Sequence, residues 1–309
     1  MANISATMVK DLRDKTGAGM MDCKSALAET GGDMDQAIDW LRKKGLSKAA
    51  KKAGRVAAEG LIGVALGNGT GALVEVNAET DFVARNDQFK DFVKSAAQLG
   101  LEADGDVEKL LNKKMGNDTV DATLKELVAK IGENMSVRRA TALAVNPGVV
   151  ASYVHNAAGP ELGKIGVLVA IKSTGDAGKL MALGKQIAMH IAAANPLAIS
   201  PEHLSKEVVE HERSIQADIA RQSGKPENVI EKMLEGRMRK FYEESVLLSQ
   251  AFLAPGVEDG ITVGKAVEKS AKELGAPITV EGFVRYQVGE GIEKVTTDFA
   301  DEVKAMSGQ

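Results

Sequence analysis

A chain of 309 residues is too long for one ordinary small core, so two or three folding units are expected. Its hydrophobic (44%) and charged (27%) fractions are ordinary for a globular protein, and aromatics at 4% leave the cores to Val, Ile, Leu, Ala and Met. A net charge of −4 argues against life on a phosphate backbone, the lone Cys23 excludes an internal disulfide, and no apolar run reaches the ~18 residues of a membrane span.

The first 50 or so residues read as three helices. Ile4, Met8, Val9 and Leu12 recur at helical spacing behind Ser5, a good cap. After Gly17 and Gly19, a second helix is expected to carry Met20, Cys23, Leu27 and Ala28 on one side. Gly31 and Gly32 end it, and Asp33 caps a third helix through Ala37, Ile38, Trp40 and Leu41. Arg42 to Arg55, rich in Lys and Ala, reads as an exposed helical linker.

Beyond Ala57 the pattern becomes β. Leu61–Leu66, the turn Gly67–Gly71 and Ala72–Val76 predict a hairpin. An irregular segment, Asn77 to Asn86, leads to a helix with Phe89, Phe92, Val93, Ala96 and Ala97 on its buried face. Short helices are expected near Val107–Leu111 and Val120–Ile131. Val149–His155, a turn at Gly159–Pro160 and Ile165–Ile171 predict a second hairpin, followed by a helix bearing Leu183, Ile187 and Ile191. A shift of 95 residues lays Gly71 on Gly166, Leu73 on Leu168 and Val74 on Val169, so the hairpin–helix unit is duplicated.

From Ser200–Pro201 onward, Leu204, Val208, His211, Ile215 and Ile219 alternate by fours and threes. Ser223–Pro226 turns the chain, and Ile230, Leu234, Arg237 and Phe241 continue the stripe on the return. Two charged helices of about 22 residues with a narrow apolar seam predict an antiparallel hairpin projecting roughly 30 Å. Thr262 caps a helix to Leu274, Ile278–Val288 is a strand, and Thr297–Met306 is a terminal helix. The fold class is therefore α+β.

Few residues point to chemistry. Gly67–Asn68–Gly69–Thr70–Gly71 lacks a Lys and joins two strands, so it is a turn and not a phosphate cradle. His203 and His211 are eight apart, too far for a helical metal pair, and Cys23 has no neighbouring base. His155, at a strand end, suits surface contact. An enzyme using a pocket between the repeated units is the competing reading, with no catalytic cluster behind it. The basic stretch Lys43–Arg55 lacks aromatic stacking partners, which counts against an RNA-binding module.

Three stretches stand out from a plain scaffold. Thr16–Lys24 holds Met20 and Met21 at a loop–helix junction, as core filler or as an adaptable contact surface. Glu75–Asn86 sets Phe82 beside Asp81, where Thr80 can cap one helical turn; Phe82 is either an anchor for the loop or an exposed wedge. Ile131–Arg139 reads as a helix end followed by a strand.

Together these stretches resemble the elongation factor Ts family, with its TGAGMMDCK-like, EVNxxTDFVAxN-like and IGENxxxRR-like segments. Ile187–His190, Gln222–Pro226 and Gly289–Lys294 extend the resemblance over nearly the whole chain, in order. It implies a UBA-like N-terminal domain with linker (1–55) and two related core subdomains (56–144 and 145–290). A coiled-coil hairpin would be inserted at about 200–249, and a C-terminal module would occupy 291–309. The resemblance further implies a nucleotide-exchange factor for the GTPase elongation factor Tu, cytoplasmic, with no catalytic site and no cofactor, membrane or direct nucleic-acid contact. Thr80, Asp81, Phe82 and Val83 map onto the segment that displaces the partner's Mg²⁺, and Met20, Met21 and His155 onto further contacts. A dimer, or a two-plus-two assembly with the partner, stays open.

Overall fold

The computed structural model describes residues 4–16, 18–222 and 226–293. The expected helix at Thr297–Met306, the centre of the Ser223–Pro226 turn and most of 291–309 lie outside them.

Three helices open the chain: α1 (Ala6–Thr16), α2 (Met20–Glu29) and α3 (Met34–Lys52). Ser5 Oγ accepts from the Met8 amide and Asp33 Oδ1 from Gln36, which satisfies amides at two helix starts. Leu12, Cys23, Ala26, Leu27 and Ala37 form their small core. Met20 and Ala28, expected on the inward side of α2, are exposed, because the core is filled between them and the first turn of α2 stands outside it.

The body is built on one six-stranded antiparallel sheet made of two three-stranded halves, a first and a second sheet that are hydrogen-bonded to each other. In the first, β1 (Glu59–Leu66) and β2 (Thr70–Ala78) form the expected hairpin. There follow α4 (Asp81–Arg85), α5 (Asp87–Gly100), α6 (Val107–Asn112), a two-residue ribbon of β3 (Lys114–Met115) and β4 (Asp118–Thr119), and α7 (Val120–Ile131). Gly132, in the left-handed conformation, ends α7, and β5 (Met135–Ala144) returns to pair with β2. In the second, β6 (Gly148–Gly159) and β7 (Leu162–Lys172) lead into α8 (Ala177–Ala194). After α9 (Lys206–Arg221), α10 (Glu227–Ser245) and α11 (Val263–Leu274), β8 (Thr279–Gln287) pairs with β7.

The repeat is deeper than a hairpin and a helix. Each unit gains a third strand, and both third strands break register at matching points, between Glu75 and Val76 on β2 and between Ala170 and Ile171 on β7. Gly60 and Gly148 hold equivalent places at positive φ (130° and 153°), where an added Cβ would lie 2.1 Å from the carbonyl oxygens of Val76 and Ile171. Gly60 faces Asn77 and Gly148 faces Lys172, so the entering strands match at a spacing of 88 and the leaving strands at 95. The second hairpin is the longer one for that reason.

The sheets join where β1 meets the start of β7, at Ile62–Gly163 and Gly63–Leu162. Their inner faces then pack together through Ile62, Val64, Leu73, Val150, Leu168 and Ala170. The outer face of the first is covered by α5 with Phe89, Phe92 and Val93, and that of the second by α8 with Leu180, Ile187 and Ile191.

Two expectations fail. The stretch read as an exposed linker is the second half of α3, and it lies along α7: Arg42 pairs with Asp118 (2.9 Å) and Glu126 (3.2 Å), and Gly45 approaches Ala129 so closely that a Cβ would sit 2.9 Å away. Its lack of large apolar residues permits a close helix crossing. The helical hairpin keeps the expected stripe on α10 through Ile230 and Leu234 but has a different seam on α9. Ala220, Ile230, Leu234 and Met238 are buried and Arg237 donates to Gln216 (2.7 Å), whereas Val208, His211, Ile215 and Ile219 face outward. The helix α9 also starts at Lys206 behind Ser205, which accepts from Val208, while Ser200–Pro201 begins only a short 3₁₀ turn.

Candidate functional site

The segment Thr80–Val83 forms the junction between β2 and α4. Strand β2 ends at Ala78 with its last residues buried, and the chain must turn over the sheet edge. The turn is α4, whose Val83 and Ala84 are buried against the core of the first sheet. At helical spacing that burial commits Phe82 to the opposite side, and it is 73% exposed. The reading of Phe82 as a loop anchor is thereby overturned: Val83 anchors the turn. The Arg85 guanidinium lies 5.9 Å from the Phe82 ring centre and pairs with Asp81 at 2.9 Å. Both charged partners are solvated, so this pair adds little stability and is easily exchanged.

Thr80 stands at the N-cap position of α4 without capping it. Its hydroxyl donates to Glu133 (2.9 Å) and its amide N–H to the same carboxylate (3.0 Å). Glu133 and Asn134 occupy the link between α7 and β5. The Asn134 amide donates in turn to Glu79, and its side-chain amide to the Arg55 carbonyl (2.7 Å). Lys52 at the end of α3 donates to the Gly132 carbonyl.

Below this junction, Glu75 is wholly buried on β2. It accepts from Arg138 (3.2 Å), Arg139, Asn77 (3.0 Å) and the amide of Gly289 (2.8 Å). Burial opposes its ionisation, but the Gly289 N–H and the Arg139 guanidinium outweigh it and hold the carboxyl below the usual carboxylate range. Arg139 also stacks on Tyr286 (4.0 Å) and pairs with Glu290 (3.2 Å).

Met20 and Met21 are 55% and 74% exposed on the first turn of α2. A cleft of about 820 Å³ is lined by Gly19 and Asp22, by Gln88 and Asp91 of α5, and by Glu126 and Lys130 of α7. The start of α2 and the start of α5, one turn after Phe82, thus border the same cleft. The space between the repeated units, by contrast, is filled with apolar side chains. His155 is exposed on edge strand β6, its Nδ1 3.1 Å from the Tyr153 hydroxyl. It belongs to the second sheet, opposite Ile165 of β7.

Sequence reasoning missed Glu75, Glu79, Glu133 and Asn134 as site residues. Ile131–Arg139 carried a visible signal, polar residues packed into a helix–strand link, but its partners lie more than 50 positions away. Among the described residues, no group of three or more His, Cys, Asp or Glu side chains could hold a metal ion, and no helix is long and apolar enough to cross a membrane.

Residues 79–290, more than half of the chain, match the family model described as Elongation factor TS. The chain is 59% identical over 307 residues to Elongation factor Ts of Parvibaculum lavamentivorans, with 99% of each covered. It is 58% identical over 309 residues to that of Bradyrhizobium sp. (strain ORS 278), covering 100% of both, and 56% identical over 303 residues to that of Brucella anthropi, covering 98% of both. With the matched region running from Glu79 beside the exposed turn to Glu290 of the Arg139 network, and relatives aligned along essentially their whole length, the chain belongs to the elongation factor Ts family.

Proposed function

We propose that the chain is a guanine-nucleotide exchange factor that binds elongation factor Tu in its GDP form and loosens the partner's Mg²⁺ and phosphate site. One observation carries the reading: Phe82 stands 73% exposed on a turn that is itself tightly held. An exposed aromatic on a rigid mount is built for insertion into another protein, since little ordering entropy opposes its burial there.

A GTPase holds GDP through Mg²⁺ and backbone amides around the phosphates. A factor that binds the distorted form of that site better than the relaxed form shifts the population toward release. Reciprocity then makes factor and nucleotide weaken each other equally, so incoming GTP expels the factor. In this reading Phe82 is the wedge, Asp81 leaves Arg85 to engage the partner, and Val83 and Thr80 are the mount. Met20 and Met21 on the three-helix unit and His155 on the second sheet supply the wider contact. The three-helix unit, the two sheets and the helical hairpin are then separate modules around that contact. The factor works by binding, in the cytoplasm, and no cofactor enters.

The test is GDP release from purified elongation factor Tu. Complete burial of a Phe contributes ~1.5–3 kcal/mol. With 73% of Phe82 free to be buried, Phe82→Ala should slow stimulated release by about 6- to 40-fold. Stimulation unchanged by Phe82→Ala, in a folded protein, would remove Phe82 from the mechanism.

A further inference from the structure

We infer that Glu79 and Glu133 form a reciprocal clamp that sets how Phe82 is presented, which makes Glu133 a positioning residue for nucleotide exchange. The inference rests on the exchange reading above and adds residues that touch neither nucleotide nor, by their placement behind the turn, the inserted ring.

The chain passes this region twice. At the first pass Glu79 and Thr80 precede α4; at the second Glu133 and Asn134 precede β5. Each pass offers a carboxylate to the backbone amide of the other: Glu133 takes the Thr80 N–H and Glu79 takes the Asn134 N–H. Two crossed, charge-assisted hydrogen bonds fix both translation and rotation of one segment against the other, which a single bond cannot do. A third link, from the Thr80 hydroxyl to Glu133, uses the group that would otherwise cap α4.

The clamp is needed because α4 cannot hold itself. Five residues lie far below the length at which a helix is stable alone. Burial of Val83 and Ala84 holds one side of the turn, but two small contacts leave it free to rock. Rocking would swing the Phe82 ring, which stands farthest from the sheet. The crossed bonds act at the first residue of the turn and stop that motion.

The clamp is also where the three-helix unit meets the wedge. Arg55, just beyond α3, reaches Glu79 with its guanidinium (3.5 Å) and accepts from Asn134 with its carbonyl. Lys52 holds the Gly132 carbonyl next to Glu133. Contact made by the first helices therefore bears on the mount of Phe82 through one turn, residues 132–134.

The experiment is a double-mutant cycle on stimulated GDP release from elongation factor Tu at saturating factor, with Glu133→Ala, Phe82→Ala and both together. Losing a charge-assisted bond to a backbone amide should slow release about tenfold in the Glu133→Ala protein. In the Phe82→Ala background the same change should cost nothing more, since the clamp acts only through the ring. Glu133→Gln, which keeps a carbonyl acceptor, should recover most of the rate, a rescue that loss of charge or general destabilisation would not produce. Thr80→Val, which deletes one donor and leaves the backbone bond, repeats the cycle with a milder change should Glu133→Ala fold poorly. Equal losses with and without Phe82, for either variant, would overturn the clamp and leave the exchange reading intact. No effect of Phe82→Ala itself would instead remove the ring's role, and the clamp's with it.

Discussion

Glu75 gives the sharpest test of how the two halves of the body are tied. Its carboxylate is fully buried and takes bonds from two guanidiniums, one side-chain amide and one backbone N–H of the segment that follows β8. Removing one partner of a buried ion pair costs roughly 3–5 kcal/mol when the other charge stays desolvated. Here Arg138 and Arg139 are each 28% exposed, and Arg139 keeps Glu290 and the Tyr286 ring, so part of that penalty is relieved by water and by the remaining partners. Glu75→Gln should therefore lower the unfolding free energy by about 2–3 kcal/mol, read from urea titrations at neutral pH. The pH dependence adds a second signature. The folded-state pKa is lowered below its ordinary 4.5, so the stabilisation is present above that value and is lost as pH falls through the folded pKa. The gap between wild type and Glu75→Gln should accordingly close in acid. A variant within ~0.5 kcal/mol of wild type at neutral pH, the spread of an ordinary surface substitution, would refute the argument that this carboxylate fastens the two units.

Two further outcomes follow from the packing. Gly166→Ala drives a Cβ to within 2.6 Å of Ile62 Cγ2 between the sheets and should cost about 1–3 kcal/mol, whereas Gly236→Ala on α10 meets nothing within 4 Å and should gain up to ~1 kcal/mol; urea midpoints check both. Buried His190 accepts the Leu253 amide at Nδ1 (3.1 Å) and donates from Nε2 to Gln250 (2.8 Å), whose side chain reaches the Glu244 carbonyl at the root of the helical hairpin. Burial lowers its pKa from 6.5, so the neutral ring's stabilisation is full above that value and declines as pH drops below it. Thermal unfolding of His190→Gln should lack that decline as pH falls below about 6.5.

Local chemistry was enough for most of the secondary structure. Thr262 and Gly275 bracket α11, and Gly132 ends α7, because capping needs only residues a few positions apart. The buried faces of α5 and α8 and the hairpins around Gly67–Gly69 and Pro160 were likewise legible, since a period of 3.6 or 2 is written within a dozen residues. The 95-residue repeat was visible as well, although its 88-residue counterpart was hidden by the longer strands of the second hairpin. Phe82 beside Asp81 stood out locally with two readings open, and only the resemblance gave Thr80–Val83 a role.

Tertiary structure decided what depends on which partner arrives. Phe82 and Val83 are adjacent and both apolar; only the docking of α4 on the first sheet sends Val83 inward and Phe82 out. The seam of α9 fell on Ala220 and not on Ile215 and Ile219, because α10 meets the face where small residues allow close approach. Lys- and Ala-rich α3 docks instead of swinging free for the same reason, at Gly45 against Ala129. The bonds that Thr80 donates to Glu133 and Gly289 to Glu75 cross 53 and 214 positions. A carboxylate's partner at such distances is set by the meeting of strands and turns in space, and the sequence by itself specifies the donors and acceptors but not their pairing.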